Sequence, residues 1–460
     1  MSSIEAFIAA NRFGLGAKNN ELSTISADPT GWLHAQLNAR HAKVAAYDGL
    51  PTTLQALEEL KGYREDKKMF KKARAAGGGE VTVDAAKLKS MLKAQGKDYM
   101  KDVARRTRVI AQSDAPFFER LVQFWSNHFT VSSTKPFQMG LLADFEREAI
   151  RPHIMDDFLT LLRASTRHPA MLMYLDNQRS IGPNSPGGKF GQKGLNENLA
   201  REIMELHTLG VNGGYTQNDV TEFAKILTGW SIDMEQRGDG SGFFFRPMVH
   251  EPGPKNLLGE VYEQDGVNEG EKALATFAYH PSTAKFIATK LARHFIADDP
   301  PASAVNQLAI AFTRGNGKLL PVYKTLLSLP ETWAEPLAKV KTPNDYVLSM
   351  LRASGTGGEV EDIKLVGAFK LLGQVPFSAP SPAGWSDQAK DWVGAEALLQ
   401  RIDLARKIAR GIYTKISPDD LLEQTIGPVA SGETRFAVSR AGSKEEAVTI
   451  LFASPEFQRR

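Results

Sequence analysis

The sequence predicts a mainly α protein, a large multi-helix globular chain with at most a small β hairpin. Apolar residues recur at i, i+3, i+4 and i+7 along most of its length, the mark of amphipathic helices. Strand-like runs are confined to one short region, and 42% apolar with 24% charged residues is an ordinary globular balance for 460 residues. That composition is enough to bury a sizeable core, and the chain reads as one helical domain, 1–460, with a basic helical insertion at 61–108.

From the N-terminus, MSSIEAFIAANRFGLGA has no basic segment followed by an apolar run, so no cleavable signal is visible and a cytoplasmic location is the default. No apolar stretch approaches the ~18–20 residues of a membrane span. The insertion holds fifteen Lys or Arg against six Asp or Glu, while the rest of the chain sums to −6. KKMFKKARAAGGGEVTVD within it reads as a glycine joint between solvated helices, and without interleaved aromatic residues no nucleic acid is expected there. SDAPFFERLVQFWSNHF (113–129) sets Phe118, Leu121, Val122, Trp125 and Phe129 on one face, with Ser113 and Asp114 before a proline as its start. Helices follow at 139–150, 156–165 and 216–230, the last with Thr216 and Asp219 as a capping box. IGPNSPGGKFGQKG (181–194), with five glycines and two prolines, is a long loop of the kind that borders sites, although it lacks the Gly-Lys-Ser/Thr ending of a phosphate loop. SGFFFRPMVH (241–250) and LLGEVY (257–262) are the strand candidates. Helices complete the chain at 280–296, 303–313, 343–354, 359–372, 395–410 and 443–453.

No cysteine is present, which removes disulfides, zinc–thiolate sites and cysteine nucleophiles. The chemistry must come from carboxylates and imidazoles on helices. In NENLAREIMELHTLG, Leu195, Leu199, Ile203 and Leu206 fall within one arc at about 100° per residue, and Glu202 falls inside that arc or at its edge. A carboxylate facing a core must be paired, hydrogen-bonded, protonated or bound to metal. Asn198, Glu202 and Glu205 share a face, with Arg201 beside them and His207 on the far flank. In HPSTAKFIATKLARHFI, Lys290 and His294 project into the face of Phe286, Ile287, Leu291 and Phe295. His128, beside Trp125 and Phe129, and Glu148, at the edge of the Leu141/Phe145 stripe, enlarge the pool, with His250 and His280. Inward-facing ligands from several helices are the design of carboxylate–imidazole metal sites. The sequence contains neither Glu-x-x-His nor His-Glu-x-x-His, however, so neither helical metal template is met. A Gly-x-Ser-x-Gly elbow and a dinucleotide fingerprint are absent too, and GWSDQAK (384–390) lacks the strand–turn–helix setting of a nucleophile.

The strings RFGLGA, GWLHAQL, LVQFWSNHFTV, REAIRPHIMDDFLTLLRASTRHPAMLMYLDN and NENLAREIMELHTLGVNGGYTQNDVTEFAKILTGW, continuing through HPSTAKFIATKLARHF, KTPNDYVLSMLRASG and LGQVPFSAPSPAGWSDQAKDW to ALLQRIDLARKIA, resemble the bacterial family grouped as domain of unknown function 1800. The resemblance covers nearly all of the chain and is weakest around 65–90. It implies a mainly helical bacterial protein, often encoded beside a sulfatase-like family (domain of unknown function 1501), many of whose pairs look exported. Export bound to a signal-bearing partner would follow from that. Its motif positions include Asn127, Arg147, Asp176, Asn177, Thr228, Trp230 and Trp385 besides the residues above.

Three readings follow. The first is an enzyme using acid–base or metal-assisted chemistry, with Glu202, Glu205, His207, His128, Arg201 and Glu148 as catalytic candidates. Glu202, His294 and His128 would be ligands of a divalent transition metal, and Arg201 or Arg147 would hold an anionic substrate group. The second is a non-catalytic binding or assembly partner of the sulfatase-like protein. In that second reading Glu202 would be tied into a buried network with Arg147 or Lys290; the third makes all these charges helix locks. The pocket is expected at 125–230.

Overall fold

A computed structural model gives the structure of the chain, which describes residues 3–75, 85–133, 138–189 and 194–460. Helix accounts for 63% and strand for 4%, as the periodicity predicts. One cluster of buried apolar side chains runs from Ala6 to Phe457, drawing on both ends of the chain.

At its centre lies Pro116–His128, with the proline in the first turn, where its missing N–H costs nothing. The stripe Phe118, Leu121, Val122, Trp125 is buried, but so are Phe117, Phe124, Glu119, Arg120 and His128. A helix buried on all sides must match its polar groups inside the core. Arg151 donates to both Glu119 oxygens at 2.9 and 2.6 Å, and Trp125 Nε1 donates to the Tyr323 hydroxyl at 2.7 Å. Around it pack the N-terminal segment, Pro29–Gln36 and the end of Ala85–Gln112.

Two expected helices change character part-way. Met139–Asp144 is α-helical and continues as a π turn over Phe145–Ile150; Asn198–Glu202 is α-helical and continues as a π turn over Ile203–His207. The i→i+5 bonds of a π turn insert a residue and shift every following side chain around the axis. The helix expected at 216–230 has the predicted capping box, Thr216 N donating to Asp219 at 2.8 Å, but spans Gln217–Ile226. Its chain turns out at Gly229 (φ +88°), where an added Cβ would lie 2.9 Å from the Arg246 carbonyl. Trp230–Ile232 can then pair antiparallel with Phe243–Phe245, while Lys255–Leu257 pairs with Glu260–Tyr262. The first extended stretch thus pairs with Trp230–Ile232 and the second folds back on Lys255–Leu257; they do not pair with each other. Between them Glu269, fully buried, accepts from Lys255 Nζ at 2.7 Å and lies 2.9 Å from His250 Nε2.

The basic insertion forms two long helices, Thr53–Ala75 and Ala85–Gln112. Their roots are buried through Leu57, Leu60 and Tyr63 on one and Val103, Ala104 and Thr107 on the other. From Arg64 to Asp102 no described residue is buried. The glycine joint at 77–79 lies outside the described residues, as do positions 190–193 of the 181–194 loop. No helix among the described residues is long and apolar enough to cross a membrane.

Candidate functional site

A cavity of about 110 Å³ opens beside the central helix, walled by Phe124, Asn127 and Glu146 on one side and by Asn344, Phe377 and Trp385 on the other. His294 and Asp387 form its most pointed contact, His294 Nδ1 lying 2.8 Å from Asp387 Oδ1. The other ring nitrogen, Nε2, is buried with no hydrogen-bond partner. Burial holds the His294 imidazole below its ordinary pKa; Asp387 pulls upward, and the guanidinium groups of Arg460 and Arg120 push further down. Burial raises the Asp387 carboxyl, but the opposing pull of His294, Lys339 and Arg460 outweighs it and sets the group at about 2. A neutral imidazole beside an ionised carboxylate keeps its proton on Nδ1 and leaves Nε2 with a free lone pair.

Asp387 sits on the loop after Ala383, and the sequence explains how that loop is aimed. Gly384 has φ +83°, and an added Cβ would meet the Asn127 carbonyl at 2.5 Å. This close approach lets Asn127 clamp the next residue both ways: its Nδ2 donates to Trp385 O at 2.9 Å, and Trp385 N donates to its Oδ1 at 2.7 Å. Beyond, Lys339 Nζ donates to the Asp387 carbonyl at 2.7 Å and pairs with Asp298, which accepts from Ala389 N at 2.7 Å. Both ends of the loop are therefore fixed.

Deeper in the wall, Asp345 is flanked by Arg120 Nη1 at 3.2 Å and Arg460 Nε at 3.1 Å. Burial lowers the Arg120 guanidinium to about 10, with Arg460 adding to the effect against Asp345, so it stays charged at neutral pH. Arg106 Nε meets both oxygens of Glu146 at 2.8 and 2.9 Å, and Ser126 donates to the same carboxylate at 2.8 Å. Each carboxylate of this wall has a cationic or imidazole neighbour, with Asp345 held between two guanidinium groups. Between them stand the rings of Phe124, Phe377 and Trp385 and the amides of Gln123, Asn127, Asn344 and Gln374.

Residues 8–459 match the family described as protein of unknown function, DUF1800. The chain belongs to the DUF1800 family. No curated protein and no solved structure matches it.

Of the residues marked by sequence, this DUF1800 chain brings only His294 into the cavity, with Asn127 and Trp385 from the family strings beside it. Glu202 is half-buried, not sunk in the core, and among the described residues makes no ion pair: burial raises its pKa, Glu205 adds to this and Arg201 opposes. Leu199 and Ile203 are buried, but Leu195 precedes the helix and Leu206, inside the π turn, is only half-buried, so the four residues do not make one buried face around Glu202. Arg201 is occupied by Glu197 and Gln217, each at 3.0 Å. Arg147 donates to the Pro51 carbonyl and pairs with Asp144. Neither Arg147 nor Lys290 pairs with Glu202.

His128 and His207 do meet. Their ring centroids lie 6.0 Å apart, His128 Nε2 is 3.0 Å from the His207 carbonyl, and burial lowers both imidazoles, that of His207 to about 3. Lys290, lowered to about 8 by burial, adds to both shifts. Glu148 belongs to a third place, accepting from Thr53 N at 3.1 Å and lying 3.8 Å from His168 Nε2; burial raises its pKa, and these two contacts outweigh that and lower it. Glu202, His294 and His128 therefore do not converge, and among the described residues no group of three or more His, Asp or Glu side chains is disposed to hold a metal ion. The cavity draws on 106–146 and 294–387, not on the expected 125–230 alone. Arg120, Asp345 and Asp387 were missed. Phe117 and Phe124 carry a signal for Arg120, since both fall opposite the Phe118/Trp125 stripe and so mark a helix with no solvent face.

Proposed function

We propose that the chain is an enzyme working by acid–base chemistry in this cavity. The observation that carries the reading is the His294–Asp387 pair with an unpartnered Nε2. His294 is the proton-transferring group, taking a proton from a bound water or hydroxyl at Nε2 and returning it to the leaving atom. Asp387 orients the ring and stabilises the imidazolium that forms, the role a buried carboxylate plays beside a catalytic histidine. Asn127 and Lys339 are positioning residues that aim Asp387. Paired charges and many amides suit a small polar substrate held by hydrogen bonds, with an aromatic ring against its apolar face. The test is a screen of carboxyl- and phosphoester substrates with wild type, H294Q and D387N. Loss of the wild-type activity by about 10²–10⁴-fold in H294Q, with the fold retained, supports the reading. Unchanged turnover in H294Q overturns it.

A second reading is favoured by one surface. Val393, Leu398, Leu399 and Ile402 are exposed apolar residues just after the loop that carries Asp387. This face suits a non-catalytic companion of the sulfatase-like protein that the family resemblance implies. Co-purification with that partner, abolished by L399E, is the outcome it requires.

A further inference from the structure

We propose that the two-helix arm at 64–75 and 85–102 binds the surface of an anionic lipid bilayer. No described residue along the arm is fully buried; Leu88, Met91, Leu92, Tyr99 and Met100 pack half-buried against the body, Tyr99 donating to the Pro376 carbonyl at 2.7 Å, and the lysines stay in solvent. Lys67, Lys68, Lys71 and Lys72 on the first helix and Lys89, Lys93 and Lys97 on the second are all exposed. None of these seven forms an ion pair among the described residues, whereas their neighbours do: Lys87 pairs with Asp66 at 2.8 Å and Lys101 with Asp98 at 2.9 Å. Lys89, Lys93 and Lys97 follow one another at i, i+4 and i+8 and so form a continuous stripe.

Three features select a lipid surface over nucleic acid. The free cations are lysines, compact point charges suited to headgroup phosphates and carboxylates, where nucleic-acid recognition favours the planar fork of arginine. Met69, 49% exposed, stands among Lys67, Lys68, Lys71 and Lys72; an apolar chain there gains from the headgroup boundary and nothing from a phosphate backbone. The two aromatic rings of the described arm, Phe70 and Tyr99, are both half-buried, so no platform for stacking bases exists. The chain outside 61–108 sums to −6 and is repelled by an anionic surface. The first helix alone projects about 18 Å beyond Tyr63, twice the Debye length of roughly 8 Å at physiological salt. Contact is therefore made arm first, with the body's charge screened.

The probe is vesicle co-sedimentation of the full chain with phosphatidylcholine alone and with an equal mixture of phosphatidylcholine and phosphatidylserine. Wild type is expected to bind the mixed vesicles, not the neutral ones, and to be released by high salt. The variant K67E/K68E/K71E/K72E, which alters only exposed positions and is checked by its unchanged thermal melt, loses binding by at least about tenfold. A second variant, K89A/K93A/K97A, weakens it in the same direction. Equal binding to the two vesicle types, unchanged binding of the charge-reversed variant, or tighter binding to duplex DNA than to the mixed vesicles at one ionic strength each overturns the proposal.

Discussion

At the scale of single residues, His294 and Glu202 show how one kind of anomaly resolves in opposite ways. Both are polar positions on apolar arcs of their helices. For His294 the arc is real, because Pro281–Phe295 is an unbroken α-helix, and the core supplies Asp387 as the partner burial demands. For Glu202 the arc is not one buried face, because Leu195 precedes the helix and Leu206 is only half-buried. The consequences are measurable. Asp387 raises the His294 pKa against burial, so D387N should lower the imidazole further, seen as a downfield-to-upfield titration displaced to lower pH by NMR; an upward displacement would contradict the pairing. Catalysis that needs neutral His294 should rise with pH to a plateau reached below the ordinary histidine value. Among the described residues Glu202 makes no ion pair, and burial and then Glu205 push it up against the pull of Arg201, so E202Q removes a repulsion and should leave stability within about 0.5 kcal/mol or slightly increased. A loss of about 3–5 kcal/mol in urea denaturation, the cost of orphaning a buried counter-charge, would instead reveal a hidden cation.

Elements were legible where local chemistry decides them and not where long-range contacts do. Thr216 and Asp219 announce their capping box in the sequence, and the box is there; T216A should cost about 1 kcal/mol by thermal denaturation. The π turns are not announced, since nothing in the local pattern of FEREAI or IMELH sets them apart from an α-helix. Nor does the text GWSDQAK disclose that Gly384 abuts Asn127, more than two hundred residues away, to deliver Asp387 to His294. That contact predicts a coupled effect. G384A, strained by its positive φ and by the carbonyl at 2.5 Å, should cost about 1–3 kcal/mol and also shift the His294 titration, because the loop must move. A stability loss with the titration unchanged would place the strain elsewhere. The ribbons show the same division: Phe-rich runs mark the strands, but Glu269 and Lys255, which tie the second ribbon to its following helix, are unremarkable as text. E269Q should cost about 3–5 kcal/mol, because it leaves Lys255 buried beside His250 without a counter-ion.

Across the whole molecule, the mainly helical architecture is visible in periodicity, whereas the site is assembled from six separated stretches that no local pattern joins. A central helix with no solvent face is what gathers them. It forces charges inward, and the way those charges are met fixes how stability depends on pH. His128, His168, His207 and His294 all have pKa values lowered by burial, so below about 6.5 the unfolded chain binds protons that the folded chain refuses, and stability falls as pH falls. Asp144, raised to about 7 by burial against the pull of Arg147, works the other way between its unfolded value and 7, but it is one group against four. On the alkaline side, burial lowers Lys290 to about 8 and Lys341 to about 7. Between these values and about 10.4 the unfolded state holds more protons, so stability rises with pH there. Above about 10, buried Tyr47, Tyr323 and Tyr346, all raised, keep protons the unfolded chain gives up, and stability turns down again. Urea denaturation across pH 5–11 should therefore peak between roughly 8 and 10, alkaline of the usual optimum near 5–8. A peak near pH 6 would mean that the histidines and lysines enter the fold with water or charge beside them, and the dry, neutral His294 on which acid–base chemistry rests would go with it.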